Sequence, residues 1–102
     1  MNKIRKIDDN QQAIVKGLRK LGASVAVTSS LGNGFPDIVV GYRGKNFLFE
    51  IKDGAKPLSA QRLTEREGLF FKRWAGDVRV IRSISDAMQW LTLNNKLSTF
   101  EK

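Results

Sequence analysis

Between Asp8 and Leu21 the apolar residues Ile14, Leu18 and Leu21 fall at i, i+4 and i+7, and Gly22 follows as a stop; the spacing predicts a helix. Lys16, Arg19 and Lys20 lie mostly off that stripe. "ASVAVTSS" is rich in small and β-branched residues and reads as a short strand, and "LGNGFP" after it reads as a loop. Two strands follow, Asp37 to Tyr42 and Asn46 to Asp53, joined by a tight turn around Arg43-Gly44-Lys45. Pro57 and Leu58 lead to Ser59, an N-cap for a helix running to about Trp74. On it Leu63, Phe70 and Trp74 share one face and Arg62, Arg66 and Arg73 another, with Gly68 as an unfavourable residue in the middle. "DVRVIR" is a strand, and Ser83 caps a last helix striped by Ile84, Ala87, Met88 and Leu91. The order is helix, three strands, helix, strand, helix, an α/β arrangement.

A chain of 102 residues is enough for one core, and no repeat, low-complexity tract or Pro/Gly-rich linker divides it, so residues 1–102 are expected to form a single domain. Residues 1–6 and about 96–102 are expected to be its mobile ends. Eighteen Lys and Arg against ten Asp and Glu give +8 and point to a polyanionic partner, nucleic acid first among them. The absence of cysteine excludes disulfides, thiolate metal sites and cysteine nucleophiles. The absence of histidine removes the usual general base and transition-metal ligand. Any hydrolysis must therefore run on carboxylates, lysine and a hard, oxygen-loving cation. No stretch approaches the roughly 20 apolar residues of a membrane span, and "MNKIRKIDDN" lacks the apolar core of a signal peptide, so no membrane association and a cytoplasmic location are expected.

The chemistry gathers on the hairpin. In "NFLFEIKD", Phe47, Phe49 and Ile51 point one way and Leu48, Glu50 and Lys52 the other. Pairing with the preceding strand puts Asp37 opposite Glu50 or opposite Lys52. Either register leaves Asp37 on the polar face and Ile38 and Val40 on the apolar one, whereas a one-residue slip would bury the Asp37 carboxylate in the core. Neighbouring like charges on a sheet cost roughly 0.2–1 kcal/mol unless a cation lies between them. A surface salt-bridge cluster is the plain alternative. Otherwise Asp37 and Glu50, with the backbone carbonyl of Ile51, offer oxygen ligands to Mg²⁺, and Lys52 is placed to orient or deprotonate a water or to stabilise developing negative charge.

Pro36-Asp37 followed by Glu50-Ile51-Lys52, in this element order, resembles the PD-(D/E)xK nuclease superfamily. "GFPDIVV", "FEIKDG", "LSAQ" and "VRVIRS" are most similar to its VRR-NUC group, the virus-type replication and repair nucleases, over about Asp8 to Leu93. The resemblance implies a restriction-endonuclease-like fold with a central mixed sheet flanked by helices, Mg²⁺ or Mn²⁺ as cofactor, and DNA as substrate. It further implies a homodimer acting on branched DNA such as a four-way junction or flap. It assigns metal binding to Asp37, Glu50 and the Ile51 carbonyl, a catalytic role to Asp37, Glu50 and Lys52, and to Gln61 a catalytic place near the metal-bound water or the scissile phosphate. Many members carry a glutamate on the first helix; this chain has none there, and Asp9, acting through water, or Asp8 is the nearest substitute, with Gln12 one turn on.

Other features have two readings. Asp8 and Asp9 also suit a helix N-terminus. Arg62, Arg66 and Arg73, with Lys56, suit either a solvated face or phosphate contacts that position a duplex without reading its sequence. Gly32 and Gly34 are turn glycines or points of close approach to a phosphate. "GNGFPD" is no nucleotide loop, since no Gly-Lys-Ser/Thr follows. Trp74 and Trp90 read as core or interface aromatics rather than base-stacking platforms. Two rivals to a DNA endonuclease stand: a non-catalytic nucleic-acid-binding protein, which has no use for the paired carboxylates, and a nuclease of the same fold acting on RNA.

Overall fold

The computed structural model describes residues 9–100, with side chains described through Leu93. Helix α1 spans Asp9–Lys20 and buries Gln11, Ile14, Val15 and Leu18. Its apolar stripe therefore runs through Val15, and Leu21, expected on it, lies beyond the helix and is 53% exposed. The helix stops where Gly22 adopts φ +96°: Gly22 N–H donates to the Arg19 carbonyl and Ala23 N–H to that of Leu18, the paired bonds of a left-handed C-cap.

Strands β1 (Ser24–Val27), β2 (Ile38–Tyr42), β3 (Lys45–Ile51) and β4 (Val78–Ile81) form one sheet in that order. The first three are antiparallel neighbours, and β4 returns parallel to β3, making the sheet mixed. The β2–β3 turn has its central residues Arg43 and Gly44 at φ +52° and +81° between the paired Tyr42 and Lys45, the two-residue geometry whose twist matches the strands. Ile38 pairs with Phe49 and Val40 with Phe47, and all four are buried. One step further, Asp37 falls opposite Glu50, one of the two registers the alternation permits. Asp37 itself lies just outside β2.

Helix α4 (Ile84–Phe100) packs on β4 and on α1, and α1 on β1. Phe49, Leu18, Ile38, Ile81 and Leu91 are fully buried at the centre of this core. Ser83 caps α4 as expected, its hydroxyl accepting from Asp86 N–H at 3.0 Å. Of the ends expected to be mobile, residues 1–6 and 101–102 lie outside the described residues, as does Asp8, and 96–100 continue α4.

The crossover from β3 to β4 departs most from expectation. It is not one helix from Ser59. A four-residue turn of helix, α2 (Leu58–Gln61), begins after Pro57 without a side-chain cap and ends at Arg62, whose ψ of 153° is extended. Thr64 then starts α3 (Glu65–Arg73) with a capping box: its hydroxyl accepts from Glu67 N–H, and the Glu67 carboxylate accepts from Thr64 N–H. The break is thus set by this local cap and not by Gly68, beside which a Cβ would meet open space. Arg62 consequently leaves the helix that carries Arg66 and Arg73, and the three form no single stripe.

The loop before β2 is held close to α3. Gly34 has φ +80°, and a Cβ there would overlap the Arg66 carbonyl oxygen, which is backbone and cannot turn aside. Gly34→Ala is expected to push α3 off the loop and to cost about 1–3 kcal/mol from backbone strain alone. A fall of several degrees in the thermal midpoint would register it, whereas Gly44→Ala, with nothing near its Cβ, carries only the φ penalty.

Candidate active site

A cleft of about 670 Å³ opens beside the C-terminal end of β3. Asp37, Glu50, Ile51 and Lys52 line it together, joined by Gln11 from α1 and Glu67 from α3. The strand alternation that buries Phe49 and Ile51 in the core turns Glu50 the other way, yet the cleft still covers it: Glu50 is only 3% exposed.

Backbone geometry fixes the site from below. The Asp37 carboxylate accepts from Ile51 N–H at 2.9 Å, closing β2 onto β3 at the place where the carboxyls meet. The Asn10 side chain donates to the Lys52 carbonyl at 3.0 Å and to that of Arg82 at 3.3 Å, tying α1 to the ends of β3 and β4. Lys52 N–H donates to the Ile81 carbonyl, which continues the parallel ladder one residue past β3.

The charges are arranged unevenly. Lys52 Nζ lies 2.9 Å from Glu67 Oε1 and 3.6 Å from Glu50 Oε2. Burial pushes the Glu50 carboxyl up to about 9, and the neighbouring Asp37 and Glu67 carboxylates push the same way. Asp37 is also raised by burial, against the lowering effect of its bond from Ile51 N–H. For Glu67 burial works upward, but the bonds from Thr64 N–H and Lys52 outweigh it and hold the group below the ordinary carboxylate range. For Lys52 burial works downward, and its contacts with Glu67 and Glu50 more than reverse it. Lys52 is therefore an ammonium held by an ionised Glu67, beside a pair of carboxyls that resist carrying two charges at neutral pH. Of the roles open to Lys52 from sequence, this favours stabilising negative charge over abstracting a proton.

Because Glu50 and Asp37 titrate higher in the folded chain than in the unfolded one, they stabilise most below their unfolded values. That contribution is lost as pH rises toward about 9. In chelator, the thermal midpoint is expected to fall across this window. Glu50→Gln, which removes the ionisation and keeps the shape, should flatten the fall. An equal slope in parent and variant would exclude Glu50 as its source.

Two carboxyls and a backbone carbonyl form an all-oxygen donor set, and an excess of carboxyl charge that a single lysine does not neutralise suits a hard divalent cation. Among the described residues no group of three or more His, Cys, Asp or Glu is arranged to hold a metal. A cation here would draw on Asp37, Glu50 and the Ile51 carbonyl, completing its shell with water and substrate oxygens, as Mg²⁺ commonly does.

Other expected residues fall elsewhere. Asp9 is exposed and does not line the cleft; Gln11 does, 6% exposed, donating to Ser29 Oγ at 3.4 Å. Gln11 stands at i relative to Ile14, Val15 and Leu18, so a polar residue on the apolar stripe was the available signal. Gln12 points to solvent. The structure does not bring Gln61 to the cluster: its amide donates to the Lys56 carbonyl at 2.7 Å, and its oxygen accepts from Arg82 Nε at 2.7 Å. Lys56 and Arg66 line the cleft, and Arg62 and Arg73 do not. Glu67 was missed, although Thr64-x-x-Glu67 is a readable capping box.

A mixed four-stranded sheet that brings two carboxyls and a lysine to the end of its central hairpin defines an α/β domain of the restriction-endonuclease-like kind. Among solved structures, one described as a VRR_NUC domain matches with a TM-score of 0.51 and 28% identity, covering 80% of this chain and 89% of that one. The fold is that of a VRR_NUC domain, in agreement with the motifs around Asp37 and Glu50. No family model matches the sequence, and no curated protein does.

Proposed function

We propose that the chain is a divalent-metal-dependent DNA endonuclease that hydrolyses phosphodiester bonds, works as a homodimer and selects branched DNA. The observation that carries this reading is the meeting of Asp37, Glu50 and Lys52 in one cleft, on a fold shared with a VRR_NUC domain. Mg²⁺ or Mn²⁺, held by Asp37, Glu50 and the Ile51 carbonyl, would supply Lewis acidity at the phosphate. The chain's own groups do the rest. Asp37, fixed by Ile51 N–H, and Glu50 set the donor positions. The Lys52 ammonium opposes charge growing on the phosphate oxygens, and Glu67 keeps that ammonium protonated and in place. Arg66 and Lys56, at the cleft wall, are suited to neighbouring phosphates, with Arg62 and Arg73 further out. The net charge of +8 brings a polyanion to that wall. Among the described residues no helix is long and apolar enough to cross a membrane.

Labelled four-way junction, flap, duplex and single-stranded DNA, with matching RNA, are to be incubated with the protein in Mg²⁺, Mn²⁺ and chelator. Metal-dependent cutting, strongest on the branched species, is expected. Salt-sensitive binding without cutting in either metal would favour the non-catalytic binding protein instead.

A further inference from the structure

On the far side of Arg66 from the acidic cleft lies a second groove, of about 410 Å³, walled by Asn33, Arg66, Leu69, Phe70, Arg73 and Trp74. Its aromatic wall is preformed. Trp74 stacks on Phe70 with centroids 4.9 Å apart and planes 19° apart, and Phe35 meets both rings edge-on. Gly76 leaves space for the indole edge, since a Cβ there would stand 3.0 Å from Trp74 Nε1. With Phe70 on one face of the indole and Gly76 at that edge, Trp74 still keeps 42% of its surface open, and Leu69 keeps 39%. This contrasts with Trp90, the other tryptophan, which is covered by the Arg79 guanidinium at 4.1 Å. Among the described residues no carboxylate lines the groove, whereas two guanidinium groups do, and Arg66 is held in place by Asn33 Oδ1 at 3.1 Å.

We propose that this groove holds an unpaired nucleobase of the nucleic acid being cut, stacked on the Phe70–Trp74 pair, with Arg66 and Arg73 on the flanking phosphates. The occupant follows from the chemistry of the walls. Exposed aromatic surface rimmed by cations, with no acid among the described lining residues, suits a ligand that is flat, apolar on its faces and anionic along its edge, which is a single-stranded nucleotide. Bases within a duplex have both faces covered by their neighbours and offer nothing to such a wall. Arg66 lines both the groove and the acidic cleft, so a strand running from one to the other passes along a single side chain. The groove would thereby favour substrates with an unpaired nucleotide next to the phosphate to be cut, such as a flap, a junction centre or a single strand. The proposal rests on the nuclease reading only for the direction of the strand; the stacking site itself does not need cleavage.

The test is binding in chelator, where no cutting intervenes. Anisotropy of a labelled oligothymidylate and of a blunt duplex is measured with the parent, Trp74→Ala and Trp74→Phe. Trp74→Ala is expected to weaken single-strand binding about 5- to 150-fold, the range of one base–aromatic stack, and to leave duplex binding within about twofold. Trp74→Phe, which keeps a ring, should recover most of the loss. An abasic residue walked along the oligonucleotide should reproduce the loss at one position in the parent and add nothing in Trp74→Ala. Circular dichroism and thermal melting separate a folding defect from a lost contact, and Trp74→Phe carries the comparison if Trp74→Ala unfolds. Equal weakening of duplex and single strand, or no abasic effect, overturns the proposal. So does a parent that binds no single strand, or a change from dimer to monomer in Trp74→Ala, which would make the groove an interface between copies. Stacking as expected in a protein that never cuts would leave this site standing and remove the nuclease reading.

Discussion

If the proposed nuclease reading holds, Lys52→Ala is expected to lower the metal-dependent cleavage rate by about 10²–10³-fold, the usual loss when one preorganised charge facing a developing oxyanion is removed. Lys52 is the ammonium on which the cluster balances: its Nζ is 2.9 Å from Glu67 and 3.6 Å from Glu50. Truncating it would remove the charge proposed to oppose the phosphate and leave Asp37, Glu50 and Glu67 facing one another. The loss therefore has a second signature. In chelator the variant should melt below the parent at neutral pH, and added Mg²⁺ should close part of that gap, because a cation relieves the same repulsion. Lys52→Arg keeps the charge but not the compact ammonium that fits between two carboxyls, and is expected to recover stability better than activity. Single-turnover cleavage and thermal melting in the same buffers check both halves. Undiminished cleavage by Lys52→Ala would remove the site from consideration.

Phe49→Ala is expected to cost about 3–5 kcal/mol, the largest effect on stability of any single change considered for this chain. Phe49 is fully buried in the strand between β2 and β4, opposite Ile38 on one side and Arg79 on the other, with its ring against Phe47 at 6.0 Å. At roughly 4–8 °C per kcal/mol for a domain of about this size, the midpoint should fall by well over 10 °C. Urea titration would read it as a shifted midpoint with an unchanged slope. Phe49 neighbours Glu50, so activity measured well below the midpoint tests whether the two faces of β3 separate: cleavage per folded molecule should change far less than stability does.

How much of this was readable beforehand follows from how local each cause is. The alternation through Phe47, Phe49 and Ile51 settles which way Glu50 and Lys52 face, because the period of a strand leaves no other choice once one face is buried. The Ser83 cap and the Gly22 stop are equally local. Gln61 misled because it sits ten residues past the end of β3, at the end of the short turn α2, where the chain can turn either way. Here Arg82, from the end of β4, takes its amide oxygen, and no spacing within the crossover foretells that partner. The placing of Arg62 failed for a different reason. A helix was extended through a position where Thr64 competes as a fresh start, and the stronger cap divided it. Glu67 is the instructive case. Its capping role was visible in Thr64-x-x-Glu67, but its partnership with Lys52 depends on how α3 settles against the Gly34 loop, a contact between segments over 30 residues apart.

The parallel return of β4 bears on how the molecule comes to exist. β1, β2 and β3 are joined by short connections and pair antiparallel, so they can zip as a meander from near neighbours, whereas β4 can add only after the whole crossover has been traversed. Asp37 and Glu50 belong to the early part, and Glu67, with the Asn10 tie between Lys52 and Arg82, to the late one. During synthesis the carboxyl pair would thus stand assembled for a time without the partner that pins its lysine. A chain interrupted before β4 would carry the motif without the neighbouring strand and the Arg82 carbonyl that complete its surroundings.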